Sequence, residues 1–180
     1  MIPRGDFCLP SSTSETEFVP LTYRGPVEKT WTVGTLTYNR GGIARLFAWL
    51  LAGDFDGLIL LTGVGTRLLW NTLLTRFAES DLKAALARVT IIVRGPKPSA
   101  AIREIGFVPQ VQAPEPNTWR EVLEAMRPRL ERRIAVQEYG KSNAAFMDGL
   151  QDQGRDVSTV RIYGWALPED MDPLREAVAR

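Results

Sequence analysis

The chain has 180 residues, 44% of them hydrophobic, and a formal net charge of +1 at pH 7. This length and composition suit a single domain with a filled core, with or without appendages. The near-neutral balance argues against a general electrostatic attraction to nucleic acid. Histidine is absent and Cys8 is the only cysteine. These counts exclude histidine-based triads, histidine metal ligands, internal disulfides and cysteine zinc sites.

No apolar stretch of the sequence reaches the roughly 18 residues that a membrane helix needs. The N-terminal segment 1–18 also lacks the continuous apolar core of a signal peptide. We therefore expect a cytoplasmic protein that binds neither membrane nor nucleic acid.

Residues 1–35 are rich in Pro, Ser, Thr and Gly and show no sustained period. This composition predicts an irregular arm, either with one short strand near residues 31–36 or without order. A helix is predicted over 43–51, because apolar residues recur there at helical spacing, and Gly53 is expected to end it.

Apolar runs typical of buried strands alternate with amphipathic segments typical of helices over residues 36–165. This alternation predicts an α/β domain with an open, mainly parallel sheet and helices on both faces, of the flavodoxin or Rossmann type. Pro128 is expected to end or kink its helix. Residues 166–180 are predicted to be a linker and the start of a C-terminal helix, which Asp172 would cap. The predicted strands are 57–62, 89–94, 133–138 and 157–163, with a short one near 107–111, and the predicted helices are 66–78, 81–87, 98–105, 119–131 and 142–153.

Each of the four main predicted strands runs into glycine. The first ends in TGVG at 62–65, and Gly95, Gly140 and Gly164 follow the other three. In a parallel sheet these ends meet at one edge, where open α/β sheets bind ligands. A glycine turn before a helix leaves free N–H groups and a positive dipole end, which suit anions. We expect all four turns to open onto one crevice; for any single turn, a purely conformational need for glycine is the alternative.

Two nucleotide-binding motifs are only partly present. The segment 62–65 begins like a dinucleotide fingerprint, but Leu68 holds the position of its third glycine. Arg94 stands where an acid would bind a ribose hydroxyl; because it suits a ribose phosphate instead, an NADP-binding domain is an alternative. The segment 140–142 resembles the end of a P-loop, but Ala135 replaces the first glycine of that motif, which excludes it.

Basic residues gather near the predicted turns, at Arg67, Arg94, Lys97 and Lys141. A polyanion with several carboxylates would suit this layout, and solvated surface charges are the alternative. Tyr163 ends the last main strand and is placed to donate a hydrogen bond into the same crevice.

The most specific signal is a set of four segments: LLTGVGTRLL, IIVRGPKPSAAIREIGFVP, IAVQEYGKSNAAFMDGLQDQG and VSTVRIYGWALPEDMDPL. In this order and spacing they resemble uroporphyrinogen-III synthase, in its bacterial branch with TGVG after the strand. The resemblance covers roughly residues 43–180. The set is specific, although no single segment is.

The resemblance implies an enzyme, a hydro-lyase of tetrapyrrole and heme biosynthesis. The family closes hydroxymethylbilane, a linear tetrapyrrole with carboxylate arms, to uroporphyrinogen III with inversion of ring D and loss of water. It uses no cofactor and no metal. The family fold is two similar α/β domains joined by a two-stranded ladder, with the tetrapyrrole between them. Such a reaction depends on positioning and charge stabilisation, so the absence of histidine is compatible with it.

The resemblance also assigns roles to individual residues. Tyr163 falls on the family's active-site tyrosine, which is thought to assist departure of the hydroxyl group. The substrate-binding positions fall on the first three turns. They are Thr62, Gly63, Val64, Gly65, Arg94, Gly95, Lys97, Tyr139, Gly140, Lys141 and Ser142.

The family pattern extends beyond this sequence, and residues 1–35 show no clear match to its first strand and helix. We therefore expect one domain of the enzyme, lacking most of the second, with a companion domain or a dimer completing the cleft. A non-catalytic or oligomerising remnant of the same fold is the alternative to an active enzyme.

Overall fold

The structure is a computed structural model that describes the backbone of residues 16–24, 30–166, 170–172 and 175, and the side chains of these residues except 16–41 and 165–166. Seven strands of this part form one sheet. In chain order they are β1 (Thr16–Arg24), β2 (Thr30–Asn39), β3 (Gly57–Leu60), β4 (Thr90–Val93), β5 (Val111–Gln112), β6 (Arg133–Tyr139) and β7 (Asp156–Ala166).

The order of the strands across the sheet is β1-β2-β7-β6-β3-β4-β5. The five strands from β7 to β5 are parallel to one another. The β2 strand pairs antiparallel with both β1 and β7. The predicted open, mainly parallel sheet is therefore confirmed, and β3 lies between β6 and β4.

Helices cover both faces of the sheet, as predicted. One face packs against the first four helices through residues such as Leu46, Leu69 and Ile102. The other face packs against the last two, through Val122 and Phe146. The helices are α1 (Arg40–Ala52), α2 (Gly63–Leu74), α3 (Glu79–Leu86), α4 (Pro96–Glu104), α5 (Trp119–Met126) and α6 (Ala144–Asp152).

The β3 strand shows why a central strand can be an unbroken apolar run. All four of its residues are buried. Leu58 and Leu60 pack into the cluster under α1–α4, whereas Ile59 packs into the cluster under α5 and α6. Because both faces are covered, neither set of alternating positions can be polar.

An irregular arm was predicted over residues 1–35, and its short strand expected near 31–36 is confirmed within Thr30–Asn39, but irregular structure is wrong for the rest of 16–24 and 30–35. These residues form β1 and most of β2, which pair antiparallel along their length. Their alternation of Thr with Val, Leu, Tyr and Trp is a strand signal, and the Pro and Gly content obscured it. Pro20 is accommodated because β1 is an edge strand, where a missing N–H is tolerated. Residues 1–15 and 25–29 lie outside the described part.

The last main strand is longer than predicted. We expected a strand over 157–163 with a turn at Gly164, but β7 continues to Ala166. Gly164 lies within the strand, opposite Thr37 of β2. The prediction of a fourth glycine turn is therefore wrong, and the reason is that β2 offers a second pairing partner beyond the end of β6.

Most other predicted elements are present with shifted ends. The helix predicted over 66–78 begins at Gly63, because the Thr62 side chain caps it by accepting from the Gly65 N–H at 3.0 Å. The fifth helix ends at Met126, two residues before Pro128, as expected. The short strand predicted near 107–111 is a two-residue strand at 111–112. The predicted final helix lies mostly outside the described residues.

Candidate functional site

Three glycine turns lie side by side at the carboxyl edge of the sheet, because β6, β3 and β4 are neighbours. The β3 strand leads through Thr62 into α2, and β4 leads through Gly95 into α4. Gly140 follows β6 with a φ of 60°, in the left-handed region that favours glycine. Its N–H donates to the Tyr163 carbonyl of β7 at 2.9 Å. The β7 strand is thereby held against the third turn at Tyr163.

A buried amide supports the first turn. Gln137 of β6 is fully buried. Its Oε1 accepts from the backbone N–H groups of Leu61 at 3.1 Å and Thr62 at 3.3 Å. A Cβ on Gly65 would overlap the Gln137 side chain, so Gly65 is required for this close approach. Sequence reasoning missed Gln137, although one amide in the apolar run of β6 was a usable signal.

Two tyrosines, an arginine and a threonine form the centre of the site. The Tyr163 hydroxyl donates to Thr62 Oγ1 at 3.3 Å. The rings of Tyr163 and Tyr139 stack with centroids 5.9 Å apart and planes at 27°. Arg94 Nη1 donates to the Tyr139 hydroxyl at 2.8 Å. Contacts therefore link Thr62, Tyr163, Tyr139 and Arg94 in a continuous row that involves four strands, β3, β7, β6 and β4.

Two hollows lie on either side of the Arg94–Tyr139 contact. The first has a volume of about 390 Å³ and lies beside α2 and α4. The second has a volume of about 320 Å³ and lies beside α5 and α6. They share Leu61, Arg94 and Tyr139. We call them the first and second hollows of one crevice.

The crevice carries positive charge on both sides. Lys97 lines the first hollow, Lys141 lines the second, and Arg94 lines both. None of these three forms an ion pair with another described residue. Arg67 also lines the first hollow, but it is bonded to Glu104 at 2.6 and 2.7 Å. The hydrogen bonds of this pair lower the pKa of the Glu104 carboxyl and raise the pKa of Arg67.

Some of the predicted binding residues have packing roles in this structure. Gly95 is buried, and a Cβ there would lie 2.9 Å from Asn117 Oδ1. A Cβ on Gly63 would lie 2.7 Å from the Lys97 carbonyl oxygen, so this glycine lets the starts of α2 and α4 approach each other. Ser142 is exposed and donates to Glu138 Oε1 at 2.7 Å.

The remaining predicted residues line the crevice. Thr62, Gly63, Val64, Tyr139 and Tyr163 border the first hollow, and Val64 is 58% exposed there. Tyr139 borders the second hollow as well, together with the predicted positions Gly140 and Lys141. The expected convergence of Thr62, Arg94, Lys141 and Tyr163 on one crevice is therefore present. Their individual roles stay predictions.

Two kinds of feature are absent from the described residues. No group of three or more cysteine, aspartate or glutamate side chains in this part of the chain is placed to hold a metal ion. The helices of the same part include none that combines the length and the apolar character needed to cross a membrane.

Comparison with solved structures identifies similar folds. One is a mutant uroporphyrinogen III synthase from the extremely thermophilic bacterium Thermus thermophilus, with a TM-score of 0.61 and 24% identity, covering 82% of this chain and 57% of that one. The wild-type protein of the same organism has a TM-score of 0.54 and 25% identity, covering 92% and 56%. The chain thus spans less than two thirds of the length of these relatives.

Comparison with families gives the wider assignment. A family model described as uroporphyrinogen-III synthase HemD matches residues 42–180, which is more than half of the chain. A comparison with curated proteins gave no match. The solved structures share the fold over one of their halves. The chain therefore belongs to the uroporphyrinogen-III synthase family.

Proposed function

We propose that this chain supplies the catalytic crevice of a uroporphyrinogen-III synthase, which closes hydroxymethylbilane to uroporphyrinogen III with inversion of ring D and loss of water. The observation that carries the proposal is the row of contacts from Thr62 through Tyr163 and Tyr139 to Arg94. Family membership supports it. The TGVG segment at 62–65 supports assignment to the bacterial branch of the family.

The carboxylate arms of the substrate are matched by the charge of the crevice. Arg94, Lys97 and Lys141 are spread over both hollows, so a large polyanion can be held at several points. The start of α2 adds backbone N–H donors and a positive dipole end beside the first hollow, whereas the start of α4, which has proline at 96 and 98, adds mainly its dipole. Binding at several points holds a flexible linear chain in one geometry, which is the main requirement for directing ring closure.

We assign Tyr163 to departure of the hydroxyl group. In this step the C–O bond of the hydroxymethyl group breaks, the bonding pair leaves with oxygen, and a proton converts the leaving group to water. The Tyr163 hydroxyl donates to Thr62 Oγ1, which also accepts from the Gly65 N–H. The Thr62 side chain is therefore held in place. The Tyr163 hydroxyl can exchange its hydrogen bond to Thr62 Oγ1 for one to the departing oxygen.

The faces of two aromatic rings can stabilise the cation that is left on the pyrrole. Tyr139 and Tyr163 stack beside the first hollow, and the face of an aromatic ring attracts a desolvated cation. Closure then requires attack by a ring D carbon on the new electrophilic carbon and loss of one proton to restore neutral pyrroles. Inversion of ring D also requires that its bond to the neighbouring ring breaks and re-forms at the other α-carbon of ring D. For this step the protein has to supply position and charge stabilisation, without a metal or a cofactor.

A second domain would complete the site. The chain spans 57% of the length of a related solved structure, and both hollows are partly open to solvent. We propose that a second α/β domain, from the same polypeptide or another, covers the crevice and excludes water from the tetrapyrrole. The β2–β7 antiparallel pair would serve as the two-stranded ladder between the domains.

The test is the isomer of the product. Hydroxymethylbilane is supplied with and without a separately expressed second domain, and isomer III is measured against the spontaneous isomer I. We expect Tyr163→Phe to lower the rate of isomer III formation by about 100-fold or more. The double change Arg94→Ala with Lys141→Ala should mainly raise KM. The pair Lys83→Ala with Arg127→Ala is the matched control, because it removes two exposed cations outside the crevice.

Two results would overturn the proposal. One is formation of isomer III no faster than isomer I when the second domain is present. The other is an equal effect on KM of the two double substitutions, in the crevice and in the control. Arg94 and Lys141 would then act only as general surface charge. If isomer III forms no faster than isomer I and the chain also dimerises, the alternative of a non-catalytic, oligomerising member of the same fold would be favoured.

A further inference from the structure

The second hollow contains a carboxylate that a site for a pure polyanion would not need. Glu138 of β6 is only 5% exposed and lines this hollow. It is the sole carboxylate among the described residues that line either hollow. A carboxylate in this position repels carboxylate ligands, and its burial costs desolvation energy that hydrogen-bond donors offset, so a ligand of this hollow should offer it a donor.

The hydrogen bonding of Glu138 is incomplete. Its Oε1 accepts from the Ser142 hydroxyl at 2.7 Å. Its Oε2 has no hydrogen-bond partner among the described residues and is not one of their buried unpaired atoms, so it is accessible from the hollow. Neither Lys141 nor Arg94, which line the same hollow, forms an ion pair with it. One acceptor therefore remains available inside a hollow that also carries two cations.

Glu138, Lys141 and Arg94 together favour a particular ligand chemistry. A simple polycarboxylate would satisfy Lys141 and Arg94 but be repelled by Glu138. A cation would satisfy Glu138 but be repelled by the other two. A neutral N–H heterocycle with an acidic arm suits both kinds of group, because the N–H donates to Glu138 and the arm pairs with one of the two cations. The hollow's other lining residues, including Leu61, Trp119 and Phe146, offer apolar contact to the faces of a ring.

We propose that the second hollow seats one pyrrole ring of the tetrapyrrole, with its N–H donated to Glu138 and a carboxylate arm paired with Lys141 or Arg94. The inference deepens the proposed function and rests on it for the identity of the whole substrate. The volume of about 320 Å³ lies at the lower end of the roughly 300–1,000 Å³ range of ligand pockets. That is room for one substituted ring. Glu138 thus recognises the pyrrole itself, whereas the cations recognise its arms.

The direct test uses a monopyrrole that carries an acetate and a propionate arm, and the same compound methylated on nitrogen. Binding of each to the full chain is followed by NMR titration. We expect the N–H form to bind about tenfold more tightly or better, since a hydrogen bond to a charged group is lost on methylation. Glu138→Gln should remove this preference. Lys141→Ala should weaken both forms and leave their ratio unchanged.

Asp148→Asn is the matched control, because it removes a carboxylate from an exposed position on α6. It should leave both affinities and their ratio unchanged. Glu138→Gln retains an oxygen that can accept from Ser142, and an unfolding curve verifies that the variant is folded. Equal binding of the two pyrroles by the unaltered chain would overturn the proposal without reference to any variant. A preference that persists in Glu138→Gln would overturn it as well, because methylation would then act by size alone.

The isomer assay separates this inference from the proposed function. If isomer III forms normally and Glu138→Gln changes neither KM nor the N–H preference, the function stands and the pyrrole seat is wrong. If the N–H preference depends on Glu138 but isomer III does not form, the hollow is a pyrrole site and the assigned reaction is wrong.

Discussion

Glu131 stabilises the edge of the sheet that lies opposite the crevice. Its Oε1 accepts from Thr90 Oγ1 at 2.7 Å and from Arg129 Nη2 at 2.5 Å, and its side chain is only 12% exposed. Burial alone would raise the pKa of this carboxyl. The hydrogen bonds from Arg129 and Thr90 outweigh burial and lower the pKa from 4.5 to about 2. The folded state therefore favours the ionised form.

Glu131→Gln should reduce the free energy of unfolding at pH 7 by about 2 kcal/mol. A pKa fall from 4.5 to about 2, at about 1.4 kcal/mol per pKa unit, corresponds to about 3 kcal/mol. We discount this value because the Arg129 side chain is 36% exposed and solvent screens the pair. Since the folded pKa is the lower one, the contribution is complete above pH 4.5 and is lost as the pH falls toward 2.

Urea unfolding of both proteins at a series of pH values measures this difference. The gap between the native chain and Glu131→Gln should be widest at neutral pH and narrow steadily below pH 4.5. Glu124→Gln is the control, because that side chain is 64% exposed, and it should change stability by less than about 0.5 kcal/mol. A gap that stays constant from pH 7 to pH 3 would show that Glu131 acts by packing and not by charge, and would refute the reasoning.

Three further substitutions test the local structure by urea unfolding. Gln137→Leu should cost about 1–3 kcal/mol, because the Thr62 N–H loses its buried acceptor; no loss would mean that the amide does not support the turn. Gly63→Ala should cost about 1–3 kcal/mol, because its Cβ would lie 2.7 Å from the Lys97 carbonyl oxygen, and a neutral result would exclude that contact. Thr118→Ala should cost about 1 kcal/mol by removing the capping box of α5, and unchanged stability would exclude it.

The parts of the fold that could be predicted are those that depend only on residues close together in the sequence. The β3 strand is an unbroken apolar run that stops at a glycine turn, and such a pattern needs no knowledge of its neighbours. The Thr118 cap and Pro128 likewise mark the two ends of α5 within a few residues of themselves. Alternation of such segments was sufficient for the α/β class.

The parts that could not be predicted depend on which strands lie side by side. Gln137 supports Thr62 only because β6 lies next to β3, and no local pattern states that order. The extension of β7 past Gly164 depends on β2 as a partner, and β2 itself lay in a segment whose composition resembled a loop. For the same reason the pairing of Arg94 with Tyr139 could be anticipated only as proximity, not as a contact.

The row of contacts at the crevice joins residues that are far apart along the chain. Tyr163 and Thr62 are separated by 101 positions, and Gln137 and Leu61 by 76. A short fragment of the chain cannot form this site. Ligand binding in the crevice and global unfolding of the domain are therefore thermodynamically linked. A ligand at 100 times its dissociation constant should stabilise the whole domain by about 2.7 kcal/mol. A rise in melting temperature can therefore screen tetrapyrrole analogues without any turnover.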